Sequence, residues 1–411
     1  MRFTKTYVPY GAYWSTPFCK WQGSLAHLNA IALAADTTKK ALATRKIVPG
    51  SIDSISLGMT VLQKHQLYGG PWFAAMIGAE AISGPMIAQA CATGARTIAL
   101  SAAEVDAAGE HTVLAVTADR CSNGAHVYYP NPQGPGGMGD KEDIVMDSFG
   151  HDPWAKNSMI QTAENVAAES KITREQQDEC TLVRFQQYQQ ALASDGAFQK
   201  RYMLIPFDVT DASGRKVVAT LPTDEGVFAT TKNGLAKLKP VMPDGTVTFG
   251  SQTHPADGNC GMVITSRERA KSMSQDPSVE VQLCSYGQGR AKKGYMAMAT
   301  VPAAQAALKA AGIGLKDVKA IKTHNPFAVN DVYLAKALDL KIDGFNNYGS
   351  SLVFGHPQGP TGMRLVIELI EELQIQGGGY GLFVGCAAGD TAAAIVVKVA
   401  FSSGPRTTRG D

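Results

Sequence analysis

CATGARTIALSAAEV (residues 91–105) and GPTGMRLVIELIEEL (residues 359–373) decide how this chain is read. Laid over one another, they match at Thr93-Gly94-x-Arg96 and Thr361-Gly362-x-Arg364. Each is a glycine-bearing loop that opens a helical pattern and leads to a buried strand. The strand is HTVLAVTADR (111–120) in one case and GYGLFVGC (379–386) in the other. What surrounds them also repeats. A helix (28–45) and a strand (51–60) precede the first copy, and a helix (301–312) and a strand (317–324) precede the second. GMVITS (261–266) closes the first half as AAAIVVKVA (392–400) closes the second. We read an α/β chain of two duplicated halves with a long insertion in the first. The insertion begins with a Gly-, Pro- and Asp-rich stretch (122–150), continues as helix (157–199) and carries further turns over 205–250.

Bulk composition narrows the function. A chain of 411 residues buries one large core or two medium ones. Its net charge of +2 offers no footprint for nucleic acid or an anionic membrane surface. The N-terminus, MRFTKTYVPYGAYW, lacks the apolar region of a signal peptide. The longest apolar stretch, GLFVGCAAGDTAAAIVVKVAF, is interrupted by Asp390 and Lys398 and reads as two strands and a turn. Seven cysteines include no C-x-x-C pair, and eight histidines include no H-x-x-x-H. Neither a disulfide framework nor a metal site is expected, and the thiols suit a reducing cytoplasm.

Cys91 carries the first chemical question. It is either a packed core thiol or a nucleophile at the positive end of the helix that follows, where backbone N–H groups lower a thiol's pKa. A nucleophile needs a base. His324, in the turn His324-Asn325-Pro326-Phe327, and His356, in Gly355-His356-Pro357, are the candidates. If the halves pack about a pseudo-two-fold axis, the two matching helix starts converge and Cys91 faces His356. Cys386, at the exit of GLFVGC, has small residues after it, which leaves room for a substrate and for oxyanion-binding N–H groups. GPGGMG (134–139) follows no strand and is assigned to a surface loop, as is the basic GQGRAKKG (287–294).

These residues resemble the thiolases over nearly the whole chain. STPFCKWQGSLA (15–26) looks like the family's N-terminal R-T-P-F-G-K-x-x-G-S-L-A, and QACATGARTI (89–98) its nucleophile motif Q-A-C-A-S-G. MIQTAENVA (159–167) resembles M-G-x-T-A-E-N-V-A of the coenzyme A loop, which LAKLKP and GTVTFG close. GHPQGPTGMR (355–364) is similar to G-H-P-x-G-x-[ST]-G, and Cys386 takes the place of the C-terminal catalytic cysteine.

The resemblance implies two duplicated βαβαβαββ halves in a five-layered α-β-α-β-α arrangement. Residues 1–121 and 245–275 would form the N-terminal half, 122–244 the loop domain on the coenzyme A side, and 276–411 the C-terminal half. It also implies roles. Cys91 carries the acyl group, His356 activates it, and Cys386 shuttles a proton to or from the α-carbon or the coenzyme A thiol. N–H groups at Cys91 and Ala388 form one oxyanion hole, and His324 with His356 the other. Met159, Ser251 and Thr253 lie toward coenzyme A, which is a substrate, with no permanently bound cofactor and no metal. A homodimer or homotetramer follows from the same resemblance. Some divergent members also need a small zinc-containing partner.

Departures cluster around the acyl and pantetheine ends. His324 replaces the Asn of N-E-A-F, and Cys386-Ala387-Ala388-Gly389-Asp390 replaces C-x-G-G-G, bringing in a carboxylate. Residues 250–258 read GSQTHPADG where the family has G-N-A-S-G-x-N-D-G. A 3-oxoacyl-CoA with a bulky, aromatic or polar acyl chain is the expected substrate, benzoylsuccinyl-CoA being one candidate. An ordinary acetoacetyl-CoA thiolase and a ketosynthase-type condensing enzyme are the alternatives.

Overall fold

Strands apolar along their whole length must be covered on both faces, and this chain has several. The computed structural model describes residues 1–402, so the end of the predicted C-terminal half, 403–411, lies outside the described residues. Eleven strands join in one mixed sheet. Its main path runs Met86–Ile87, Ser54–Gly58, Thr112–Arg120, Ala256–Thr265, Tyr7–Val8, Val279–Arg290, Thr391–Phe401, Gly379–Ala387, Val318–His324.

The sheet reads the same outward in both directions from the seam between Tyr7–Val8 and Val279–Arg290. On each side come the half's first strand, its last, its last but one, then an earlier strand paired parallel to it. The last two strands pair antiparallel in both wings. The edge pair Met86–Ile87 extends the first wing alone. Helices Thr93–Ala108 and Gly359–Ile375 pack against each other and touch strands of both wings. Ala30–Thr44 and Gly69–Met76 cover the far side of one wing, Thr300–Ala311 the far side of the other. The result is five layers with the duplicated helices in the middle.

The shared glycines explain how those two helices meet. A Cβ on Gly94 would fall 2.5 Å from the Gly359 carbonyl oxygen and 2.6 Å from the Met363 nitrogen. One on Gly362 would lie 3.2 Å from the Ala95 nitrogen. The backbones therefore touch where the helices begin, which draws the residues just before each start to one place.

Two regions differ from the sequence reading. GQGRAKKG is a loop only in its second part. Gly287–Arg290 end a twelve-residue strand and pair with Thr391–Ala394. The glycines there are packing devices. A Cβ on Gly287 would meet the Ala307 nitrogen at 2.3 Å, and one on Gly289 the Ala299 oxygen at 2.6 Å, so they admit the helix above. In the stretch 122–150, His126–Tyr129 and Asp140–Asp143 form an antiparallel hairpin. GPGGMG is its exposed tip.

The insertion is fastened by charge. Arg184, on the helix Arg174–Gly196, pairs with Asp331 at 2.7 Å, and Asp224 receives both Arg364 amino groups at 2.6 and 2.8 Å, all fully or nearly buried. Buried pairs of this kind fix geometry, and losing one partner leaves an uncompensated charge.

Candidate active site

Cys91 stands in the sharp turn between Met86–Ile87 and the helix Thr93–Ala108. Ala90 before it has φ +44°, a left-handed conformation that costs a non-glycine residue about 1–3 kcal/mol. Thr93 Oγ1 holds this turn by accepting from the Gln89 N–H at 2.7 Å. The backbone N–H groups of Ala388 and of Cys91 itself act on the Cys91 sulfur to lower its pKa.

His356 is presented by a loop sewn to the strand Ala256–Thr265. Its N–H donates to the His254 carbonyl (2.9 Å) and its carbonyl accepts from the Ala256 N–H (3.3 Å). Gly355 before it has φ +91°, which favours glycine. His356 Nδ1 hydrogen-bonds Thr361 Oγ1 at 2.6 Å, and Nε2 is buried without a partner. His324, at the end of Val318–His324, hydrogen-bonds Ser351 Oγ through Nδ1 at 2.8 Å, with Nε2 again unpartnered. The two rings lie 4.0 Å apart, tilted by 31°. One nitrogen of each ring and the Cys91 sulfur all lie within 4.8 Å of one another. Cys386 is fully buried and accepts a hydrogen bond from Asn330 Nδ2 at 3.1 Å.

Burial sets the protonation states, and here the sequence expectation is corrected. A helix start was expected to lower the Cys91 pKa. Desolvation instead raises it to about 11, although the two backbone N–H groups pull it down. Burial holds His324 at about 3 and, with the neighbouring His324, keeps His356 well below its ordinary range. Cys386 is pushed up by burial and by Cys91. The resting site is therefore a neutral thiol beside neutral imidazoles, and proton transfer waits for substrate.

Asp390 is placed differently from expectation. Both Asp390 carboxylate oxygens accept from the loop backbone, from Gly294 N at 2.8 Å and Tyr295 N at 2.9 Å. The carboxylate is a structural clamp rather than a group offered to substrate. Thr253 donates to the Ser351 carbonyl at 2.5 Å. Ser251 is fully buried and closes a turn with Thr248. Met159, half-buried at the start of Met159–Glu169, packs on the cluster that contains Cys386.

Three side chains at the site escaped the sequence reading. Gln358, 6% exposed, accepts from the Cys91 thiol at 3.4 Å through Oε1, while its Nε2 is buried and unpartnered. Its backbone is strained (φ +61°, ψ −105°). It occupies the variable position of G-H-P-x-G, and its polarity was the available signal. Asn330 lies six residues past His324, in the first turn of Ala328–Leu338. Asp119 accepts from the N–H groups of Thr60, Val61 and Gly359, tying the end of Thr112–Arg120 to the histidine loop. Its burial raises its pKa to about 7.

Comparison with known proteins agrees with this geometry. "Thiolase, N-terminal domain" matches residues 12–268, and "Thiolase, C-terminal domain" residues 278–399. Human mitochondrial 3-ketoacyl-CoA thiolase is 29% identical over 390 residues, 93% of this chain and 96% of that one. Escherichia coli acetyl-CoA acetyltransferase has the same identity and coverage. The Bacillus anthracis acetyl-CoA acetyltransferase structure superposes with TM-score 0.87 at 25% identity, covering 97% of this chain and 99% of that one. Human mitochondrial 3-ketoacyl-CoA thiolase in complex with CoA gives 0.85 at 27%, covering 96% and 98%. With both halves matched and Cys91, His324 and His356 gathered within 4.8 Å, the chain belongs to the thiolase family of acyltransferases.

Proposed function

We propose that this chain uses coenzyme A to cleave a 3-oxoacyl-CoA, or runs the reverse Claisen condensation, through an acyl group on Cys91. One observation carries the reading: the Cys91 sulfur lies within 4.8 Å of a ring nitrogen of each of two buried histidines, His324 and His356. In the proposed cycle His356 Nε2 takes the thiol proton as the sulfur attacks the 3-oxo carbon. The oxyanion that forms is met by the N–H groups of Cys91 and Ala388. The C2–C3 bond breaks, and Cys386, steadied by Asn330, delivers a proton to the departing α-carbon. His324 with its proton on Nε2, and protonated His356, stabilise the enolate oxygen of that leaving acyl-CoA. Coenzyme A then takes the acyl group from Cys91, its own thiol proton passing to Cys386, and the released Cys91 thiolate recovers its proton from His356. No permanently bound cofactor enters this scheme. The presence of Cys386 favours it over a ketosynthase-type reaction.

The finer parts of the proposal rest on the departures. His324 and the stretch 251–256 border the site, and a bulky, aromatic or otherwise functionalised acyl chain suits them, benzoylsuccinyl-CoA among the candidates. Asp390 no longer contributes to that argument, its oxygens being spent on the backbone. Ordinary acetoacetyl-CoA thiolysis is the second reading, favoured by equal similarity to the E. coli acetyl-CoA acetyltransferase. We further propose Met159 and the 251–253 loop as the coenzyme A side, and the division into 1–121 with 245–275, 122–244 and 276–411. A homodimer or homotetramer, a small zinc-containing partner and a reducing cytoplasm complete the proposal. Seven free thiols support the last. No helix of the described residues is long and apolar enough to cross a membrane. A thiolysis screen over straight-chain, branched and aromatic 3-oxoacyl-CoA substrates decides the acyl class. The expected result is a kcat/KM for bulky substrates at least ten-fold above acetoacetyl-CoA, about 1.4 kcal/mol of transition-state binding. Acetoacetyl-CoA preferred ten-fold would overturn it.

A further inference from the structure

Two imidazole nitrogens beside Cys91 are left without partners. His324 Nε2 and His356 Nε2 are both buried without partners. Ser351 Oγ has two acceptors for its single hydrogen, Asn325 Oδ1 at 3.1 Å and His324 Nδ1 at 2.8 Å. When that hydrogen goes to Asn325, His324 donates from Nδ1 to Ser351 and leaves Nε2 bare. His356 does the same when Nδ1–H donates to Thr361 Oγ1. One nitrogen of each imidazole and the Cys91 sulfur lie within 4.8 Å of one another, and Gln358 Oε1 adds a carbonyl oxygen 3.4 Å from the sulfur.

We propose that Cys91, His324 and His356 form a site for a zinc-class divalent transition ion, whose occupancy switches the enzyme off. A four-coordinate zinc site of one thiolate and two imidazoles has ligand–ligand edges of about 3.3–3.7 Å, given bonds of about 2.3 Å to sulfur and 2.0–2.1 Å to nitrogen. The cluster needs at most about 1.5 Å of closure to reach those edges. Both imidazoles already have the outer hydrogen bond that orients metal-binding histidines, to Ser351 and to Thr361. A fourth position is left for Gln358 Oε1 or water.

Binding exchanges one proton for the ion. The Cys91 S–H bond breaks, the sulfur's pair goes to the metal, and the proton goes to buffer. Nothing is oxidised or reduced. Occupancy removes the nucleophile and its base together, so block is reversible and is relieved by a chelator. The sequence hid this site because its ligands are 233 and 32 residues apart along the chain (91 to 324, 324 to 356). It exists only because the halves fold together.

The test is titration of the full chain with Co2+ alone, read by absorption. The expected result is one ion per chain, with visible bands of four-coordinate cobalt and a near-ultraviolet thiolate-to-cobalt band. Cys91→Ser should lose the thiolate band, and His324→Asn should weaken affinity at least ten-fold. Mg2+, which prefers oxygen ligands, should not compete. A second measurement uses the unaltered protein and needs no variant to fold. Zn2+ should slow iodoacetamide labelling of Cys91 at least ten-fold, with recovery on adding EDTA. No saturable cobalt spectrum, a thiolate band that survives Cys91→Ser, unchanged affinity in folded His324→Asn, or labelling indifferent to Zn2+ would each overturn the proposal.

Discussion

The helices Thr93–Ala108 and Gly359–Ile375 begin alike and end differently. Both open with Thr-Gly-x-Arg, both sit in the central layer, and each start borders one half of the reacting pair, Cys91 and His356. The first is a helix of small residues with an exposed side. The second is buried nearly all round, charges included: Arg364, Glu368, Glu371 and Glu372 are each 1% exposed. Their partners come from everywhere. Arg364 meets Asp224 of the insertion, Glu368 meets Lys322 and Tyr202, and Glu371 meets Arg201 and Tyr13. Arg96, the counterpart of Arg364, hydrogen-bonds the side-chain amides of Gln89 and Gln288, lies over the Tyr286 ring and is partly exposed. Duplication therefore preserved the meeting point of the two backbones and let the two surroundings diverge. One copy became the nucleophile's support, and the other the anchor of the insertion.

The largest effect is expected where the two copies meet. His356→Ala removes the base facing Cys91 and should slow acylation by 10²–10⁴, about 3–5 kcal/mol in the barrier, measured by single-turnover acyl transfer. Cys386→Ala should still acylate yet fail in carbon–carbon bond chemistry. Equal, mild losses from both would mean the roles are misassigned. Next comes the matched arginine pair. Arg364→Met strands Asp224 and Glu368 in the interior and should cost about 3–5 kcal/mol of stability. Arg96→Met, at the corresponding position, should cost under about 1 kcal/mol. Similar costs in denaturant melts would break the contrast.

Gly94→Ala follows. Its methyl would press on backbone at 2.5 and 2.6 Å, and overpacking of that kind costs about 1–3 kcal/mol. Activity should fall further than stability, because the two helix starts are forced apart. The gentlest probe is pH. With Cys91 held at about 11 by burial, its alkylation should rise about ten-fold per pH unit from 7 to 9, about 1.4 kcal/mol each, without levelling. A plateau between pH 6 and 8 would reveal a thiolate–imidazolium resting pair and contradict the neutral one.

How legible this was in the sequence follows from the same contrast. The Thr-Gly-x-Arg repeat marked the meeting point, because a helix start and a close backbone contact are both local features. The convergence of Cys91 and His356 followed from packing two such starts about one axis. The buried charges of Gly359–Ile375 were invisible, because their partners Asp224, Lys322 and Arg201 are remote in the chain. Asp390 misled for a related reason. A carboxylate two residues past Ala388 looks like a site group until the Gly294–Tyr295 backbone is seen to occupy it. Gly287 and Gly289 read as a loop because glycine suits loops, and only the helix packed on them reveals a strand. The fall in Cys91 pKa expected from the helix dipole is outweighed by burial, a quantity no local motif carries.

The start of one duplicated helix presents the nucleophile. Intact-protein mass spectrometry after exposure to an acyl-CoA tests it most directly. The prediction is a single adduct with the mass of the acyl group, absent from Cys91→Ala. An adduct of the same mass and yield in Cys91→Ala would contradict it.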